Sequence, residues 1–143
     1  MKPNELMIGD WVLMDMNYSE EDPMHTSTNY QSYQIKNGED ISLACETNCI
    51  GDAGVYQPIP ITPEILKKNG FKLNYDGWLW CGDKEPQNYV FVYVFVQFRH
   101  NGEVRLVEIN HVNEASVSFR NIQNIHELQH VLRLCKIDKL ITI

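Results

Sequence analysis

The sequence predicts an α+β protein made mainly of antiparallel strands, arranged as a twisted sheet or a small SH3-like barrel plus a sheet, with two packed helices. Three observations carry that expectation. Strand-like runs are punctuated by Asn37-Gly38, Asp76-Gly77 and Asn101-Gly102, dipeptides that tolerate the positive φ of tight hairpin turns. Thr62-Pro63-Glu64 carries the signals of a helix start. A helical apolar period runs from Ile125 to about Lys136.

Taken in chain order, Gly9-Asp10 leads into a first strand at Trp11-Val12-Leu13-Met14. The run from Asn17 to Asn29, which holds Glu20-Glu21-Asp22-Pro23, reads as an exposed loop. Tyr30 to Lys36 and Ile41 to Cys45 flank Asn37-Gly38 and predict a hairpin, with a loop over Thr47 to Gly54. Pro58 and Pro60 hold Val55 to Ile61 extended, because each disfavours helix in the residue before it. Thr62 can cap a helix, Pro63 suits its first position, and Glu64 faces the positive end of the dipole. Ile61 and Leu66 are spaced as a hydrophobic staple, and Gly70 ends this helix near Asn69.

Two further hairpins are expected. Phe71 to Tyr75 and Trp78 to Cys81 flank Asp76-Gly77, and Tyr89 to Arg99 and Glu103 to Ile109 flank Asn101-Gly102. Val90, Val92, Val94 and Val96 line one side of the long strand, and Tyr89, Phe91, Tyr93 and Phe95 the other. A strand apolar on both faces is expected at the centre of a sheet and covered twice. An aromatic row can also serve as a ligand platform, with core packing the more ordinary use. The alternation slips between Leu106 and Val107, which predicts a bulge. Ser116 to Phe119 reads as a short strand, Asn124 as a helix cap, and Leu140 to Ile143 as a closing strand. The opening Ile8-Gly9-Asp10-Trp11-Val12 supports the SH3-like barrel by analogy alone.

A chain of 143 residues suits a single compact domain, or two lobes at about residues 1–60 and 61–143 sharing a core. With 43% hydrophobic and 22% charged residues it is neither disordered nor fibrous. Nineteen acidic against 12 basic residues leave a net charge of −7, which repels phosphate backbones and argues against nucleic acid as a partner. The longest apolar run, Tyr89 to Val96, is far short of the ~20 residues a membrane helix needs, so no membrane association is expected. The opening Met1-Lys2-Pro3-Asn4-Glu5 has no apolar signal region, so the expected compartment is the cytoplasm, and the cysteines, Cys45, Cys49, Cys81 and Cys135, are expected to be thiols.

One motif looks like chemistry. His126-Glu127-Leu128-Gln129-His130 matches H-E-x-x-H, which on a helix brings two imidazoles to one face for zinc, with the glutamate placed to activate a water. Ile125, Leu128, Val131, Leu132 and Cys135 form the apolar stripe, which sets His126 and His130 on the more exposed side with Gln129 and Arg133. Only 13 residues follow His130, and Asp138 is their single carboxylate. An upstream third ligand such as His111 or Glu114 is possible but would be an unusual arrangement. Arg133 also puts a cation beside the pair. No catalytic residue, metal ligand or cofactor is therefore assigned; the alternative is zinc on His126 and His130 with Glu127 as the base.

Three segments carry a resemblance. They are Asn4-Glu5-Leu6-Met7-Ile8-Gly9-Asp10-Trp11-Val12, Pro58-Ile59-Pro60-Ile61-Thr62-Pro63-Glu64-Ile65-Leu66-Lys67-Lys68-Asn69-Gly70-Phe71, and Ile125-His126-Glu127-Leu128-Gln129. The chain resembles a family of small uncharacterised proteins of gut Bacteroidetes and their phages or mobile elements. That family is marked by an opening E-L-R-I-G-N-W-V, a middle P-I-P-L-T-E-E-I-L-x-K-x-G-F and a late V-H-Q-L-Q-N. The chain departs from it at Met7, Asp10 and His130 and in the polar insert Asn17 to Asn29. The resemblance implies no activity. It does imply that Glu127 and His130 stand where relatives carry glutamine and asparagine, against a catalytic role. The expected function is a non-enzymatic accessory protein of phage or mobile-element type that binds another protein. The alternative is a small zinc-dependent peptidase, and a third reading has the acidic surface mimic nucleic acid.

Overall fold

The computed structural model describes residues 6–18, 21, 29–47, 55–82, 92–110 and 116–143. It is an α+β fold, with two antiparallel sheets, of three and five strands, and three helices among the described residues. Contacts divide the chain into two compact units, Met1–Ile59 and Pro60–Ile143.

The first unit holds β1 (Trp11–Asp15), β2 (Tyr30–Gln34), α1 (Gly38–Thr47) and β3 (Tyr56–Pro58), with sheet order β2-β1-β3. Gly9, at φ 92°, takes the left-handed position of a turn closed by the Asp10 amide on the Met7 carbonyl at 3.1 Å. Asp10 is fully buried and accepts the Met7 amide at 2.7 Å. Asp15, at the other end of β1, accepts the amides of Asn17 (3.0 Å) and Asn29 (2.8 Å), drawing together the ends of the polar segment. Most of that expected loop, like 48–54, lies outside the described residues. Leu6, Val12, Ile35, Val55 and Tyr56 form the core, with Met14, Tyr18, Tyr33, Ile41 and Leu43 against it.

The hairpin expected at Asn37-Gly38 is not formed: the chain enters α1 instead. Asn37 Oδ1 accepts the amides of Glu39 (2.9 Å) and Asp40 (3.1 Å), so it acts as a helix cap. Glu39 and Asp40 then occupy the positive end of the dipole. Asparagine before glycine suits both a hairpin and a helix start, and Ile41 and Leu43 reach the core from the helix. The expectation of two helices is corrected to three. No SH3-like barrel is formed by the three strands described.

The second unit begins with a bridge between Pro60 and Asn124, then α2 (Pro63–Lys68). Thr62 Oγ1 accepts the Ile65 amide, Pro63 sits in the first turn, and Gly70, at φ 81°, closes the helix while the Phe71 amide returns to the Leu66 carbonyl. The sheet runs β4 (Lys72–Asn74), β5 (Gly77–Cys81), β6 (Tyr93–Phe98), β7 (Val104–Asn110), β8 (Val117–Phe119) in that order. Helix α3 spans Ile125–Leu134.

Several expectations shift here. The β4–β5 connection is Tyr75-Asp76, and Tyr75, not Gly77, holds a positive φ (50°). Gly77 lies in β5 because a Cβ there would stand 2.5 Å from Phe95 Cε2 and 2.8 Å from the Val96 carbonyl oxygen. The β6–β7 connection runs over residues 99–103, with His100, Asn101 and Gly102 between the bonded Arg99 and Glu103; Gly102 N donates to Arg99 O (3.0 Å) and Arg99 N to Glu103 O (2.7 Å). Gly102 holds φ 85°, as the left-handed position of such a loop demands. The bulge lies at Arg105, not between Leu106 and Val107: Gln97 pairs Leu106 while Phe98 pairs Val104. The extra residue lets Val104 and Val107, an odd number apart, both be buried.

Leu140 to Ile143 form no strand. The Asn69 side chain holds the tail instead, its Nδ2 donating to Thr142 O (2.7 Å) and its Oδ1 accepting Thr142 N (2.8 Å). That pair imitates one step of a ladder and lets Ile141 be buried. The Gln123 amide does the same at the start of β7, exchanging bonds of 3.0 and 2.7 Å with both backbone groups of Val104.

Candidate functional site

The H-E-x-x-H segment forms the first turns of α3. Leu128 and Leu132 are buried as the apolar stripe requires. The expectation that His126 would be exposed is wrong: it is 2% accessible, and Gln129 is buried with it. Ile125, His126, Leu128, Gln129, Val131 and Leu132 are all buried, and at 100° per residue they cover roughly 220° of the helix, far wider than a narrow stripe. His126 falls at the margin of that arc. His130 is half-exposed, and the two imidazole rings lie 6.0 Å apart in a T-shaped arrangement.

Glu127 is turned to another task. Its Oε2 accepts the Gln123 amide (2.7 Å), the Asn124 amide (2.9 Å) and Asn124 Nδ2 (3.3 Å). This is the glutamate half of a capping box, which satisfies backbone donors that a helix start leaves without intrahelical partners. Among the described residues no group of three or more His, Cys, Asp or Glu is placed to hold a metal ion. His111 and Glu114, the upstream donors considered above, lie outside the described residues.

The five-stranded sheet offers a different kind of site. Its pairings set Trp78, Trp80, Val94, Val96, Val107 and Ile109 on one face, where the four aliphatic side chains are buried to 1% or less. Lys139, in the run after α3, reaches this face, its Nζ standing 5.6 Å from the Trp80 ring centre. The other face carries Leu79, Tyr93, Phe95, Gln97, Leu106 and Glu108, each half-buried. The expectation that the long strand is covered on both sides is therefore corrected. It is central, but only its valine side is sealed. Tyr89, Val90 and Phe91 lie outside the described residues.

On this second face Asn74, Leu79, Cys81, Tyr93, Phe95 and Glu108 line a groove of about 470 Å³. Phe95 stands directly opposite both Leu79 and Glu108, and its ring covers Gly77, where no side chain intervenes. Tyr93 is the diagonal neighbour of Glu108, and its hydroxyl donates to Glu108 Oε1. That bond to a carboxylate, followed by burial and the carboxylate's charge, pushes the Tyr93 hydroxyl up to about 12. Cys81 presents a free thiol at the rim. The aromatic pair was visible in the sequence, but Glu108 was not singled out. The alternation of β7 opposite Phe95 was the signal that could have found it.

The first unit has a tyrosine cluster. Tyr33 OH donates to both oxygens of Asp40 (3.1 and 3.2 Å), Lys36 N donates to Asp40 Oδ2 (2.7 Å), and Lys36 Nζ lies 5.1 Å above the Tyr33 ring. Tyr56 is 2% accessible, and its hydroxyl finds no hydrogen-bond partner among the described residues. Burial first, then the charge of Asp40 and the neighbouring Tyr33, push it up to about 12. The bonds to Asp40 tie the end of β2 to the first turn of α1.

No described helix is long and apolar enough to cross a membrane. Comparison with protein-family models, with curated proteins and with solved structures returned no match to the chain.

Proposed function

We propose that this chain is a non-enzymatic accessory protein of phage or mobile-element type that works in the cytoplasm by binding another protein. The observation that carries this reading is the second face of the five-stranded sheet. Leu79, Tyr93 and Phe95 stand half-exposed around a groove, with Leu106 half-exposed on the same face, the mix of aromatic and aliphatic anchors that protein interfaces favour. The resemblance to the Bacteroidetes family supplies the accessory context, and the net charge of −7 disfavours nucleic acid. The capping role of Glu127 speaks against the peptidase, because the carboxylate that would serve as base is already bonded to the backbone at the start of its own helix.

Photo-crosslinking tests it. A benzophenone amino acid at Leu79 should give a discrete crosslink to a second protein in the native host, while the same group at Leu134, exposed on α3, should give none. Absence of a crosslink at Leu79 overturns the reading. So does stoichiometric zinc in untagged protein with peptide cleavage abolished by Glu127→Gln, which would install the zinc peptidase of His126, Glu127 and His130.

A further inference from the structure

We infer that the groove on the second sheet face receives a lysine side chain of the partner; this rests on the protein-binding reading above. Three features converge on one cation. The Tyr93 and Phe95 rings offer aromatic surface on adjacent same-face positions of β6, and an ammonium is attracted to the negative face of such rings. Glu108, in the same groove, supplies the opposite charge. Leu79 gives the aliphatic stem of a long side chain an apolar surface to lie on while its charged head reaches the carboxylate.

The carboxylate geometry favours lysine over arginine. Tyr93 OH already occupies Glu108 Oε1, and among the described residues Glu108 makes no other hydrogen bond, which leaves Oε2 to accept one. A compact ammonium is satisfied by one acceptor, whereas a guanidinium gains most from two parallel bonds. The nearest lysine of the sheet, Lys72, stands in the same cross-strand row but three strands from Glu108, about 14 Å at the ordinary strand spacing, so it does not fill the site. The chain's net charge of −7 further draws a basic segment to the surface.

The test titrates isotopically labelled full-length protein with three blocked tripeptides, Gly-Lys-Gly, Gly-Arg-Gly and Gly-norleucine-Gly, and follows the resonances of Tyr93, Phe95 and Glu108. The lysine peptide should shift these residues and bind roughly tenfold or more tightly than the norleucine peptide, as expected for a charge-assisted bond plus a cation–π contact. Glu108→Gln, which keeps shape and a polar head, should lower lysine-peptide binding roughly tenfold with an unchanged melting curve. Equal binding of lysine and norleucine peptides overturns the inference, as does a lysine-peptide shift mapping elsewhere or a stronger arginine peptide. A Leu79 crosslink without lysine-dependent binding overturns this inference alone and leaves the protein-binding reading standing. Lysine-peptide binding without any crosslinked partner overturns the protein-binding reading instead.

Discussion

Glu127 offers the sharpest separation between a structural and a catalytic role, through two substitutions. Glu127→Ala removes an oxygen that accepts the amides of Gln123 and Asn124 and the side chain of Asn124. Losing a cap interaction costs about 0.5–2 kcal/mol, and losing a negative charge near the helix N-terminus adds about 0.3–1 kcal/mol. Water can reach the half-exposed site and recover part of this, so we expect a loss of about 2 kcal/mol. Glu127→Gln keeps an acceptor at the same reach, and glutamine serves in capping boxes, so it should cost less than about 1 kcal/mol. Urea denaturation followed by tryptophan fluorescence measures both, since Trp78 and Trp80 lie in the same unit as α3. The reasoning fails if alanine leaves the midpoint unmoved, or if glutamine costs as much as alanine.

Leu128→Ala, at a fully buried position, should cost about 2–5 kcal/mol by the same denaturation assay. Gly77→Ala should cost about 1–3 kcal/mol, because the added methyl drives the Phe95 ring and the Val96 carbonyl apart; an unchanged midpoint would show that β5 can shift freely. Lys136→Gly should stabilise by up to about 1 kcal/mol, since Lys136 holds φ 56° just past α3, where glycine avoids the Cβ penalty; any destabilisation counts against the assignment. Tyr56 titrates at about 12 in the fold against 10.0 when unperturbed, so above pH 10 the unfolded chain loses that proton first. Its contribution is thus fully present below pH 10 and is lost as pH rises towards 12. Tyr56→Phe should flatten that alkaline loss in pH-dependent urea melts, without destabilising at neutral pH, because the buried hydroxyl has no described partner.

Short-range chemistry was legible in the sequence. Thr62, Pro63 and Gly70 bracket α2 because each acts on backbone within one turn of itself. Gly102 takes its left-handed position for the same reason, and Leu128 and Leu132 follow from a period that needs no knowledge of the partner surface. Asn37-Gly38 marks the limit of such signals: the dipeptide suits a hairpin or a helix start, and the choice falls to where Ile41 and Leu43 find a core. The same holds for His126, whose burial depends on how wide a surface encloses α3, and for Gly77, which answers to Phe95 on the adjacent strand. The groove likewise depends on register, which sets Tyr93 against Glu108, 15 positions later. Asn69 holds Thr142 across 73 positions. A helix cap or turn residue is read from its own neighbours, whereas a bond between distant residues exists only once the backbone has brought them within 3 Å, and no local pattern encodes that approach.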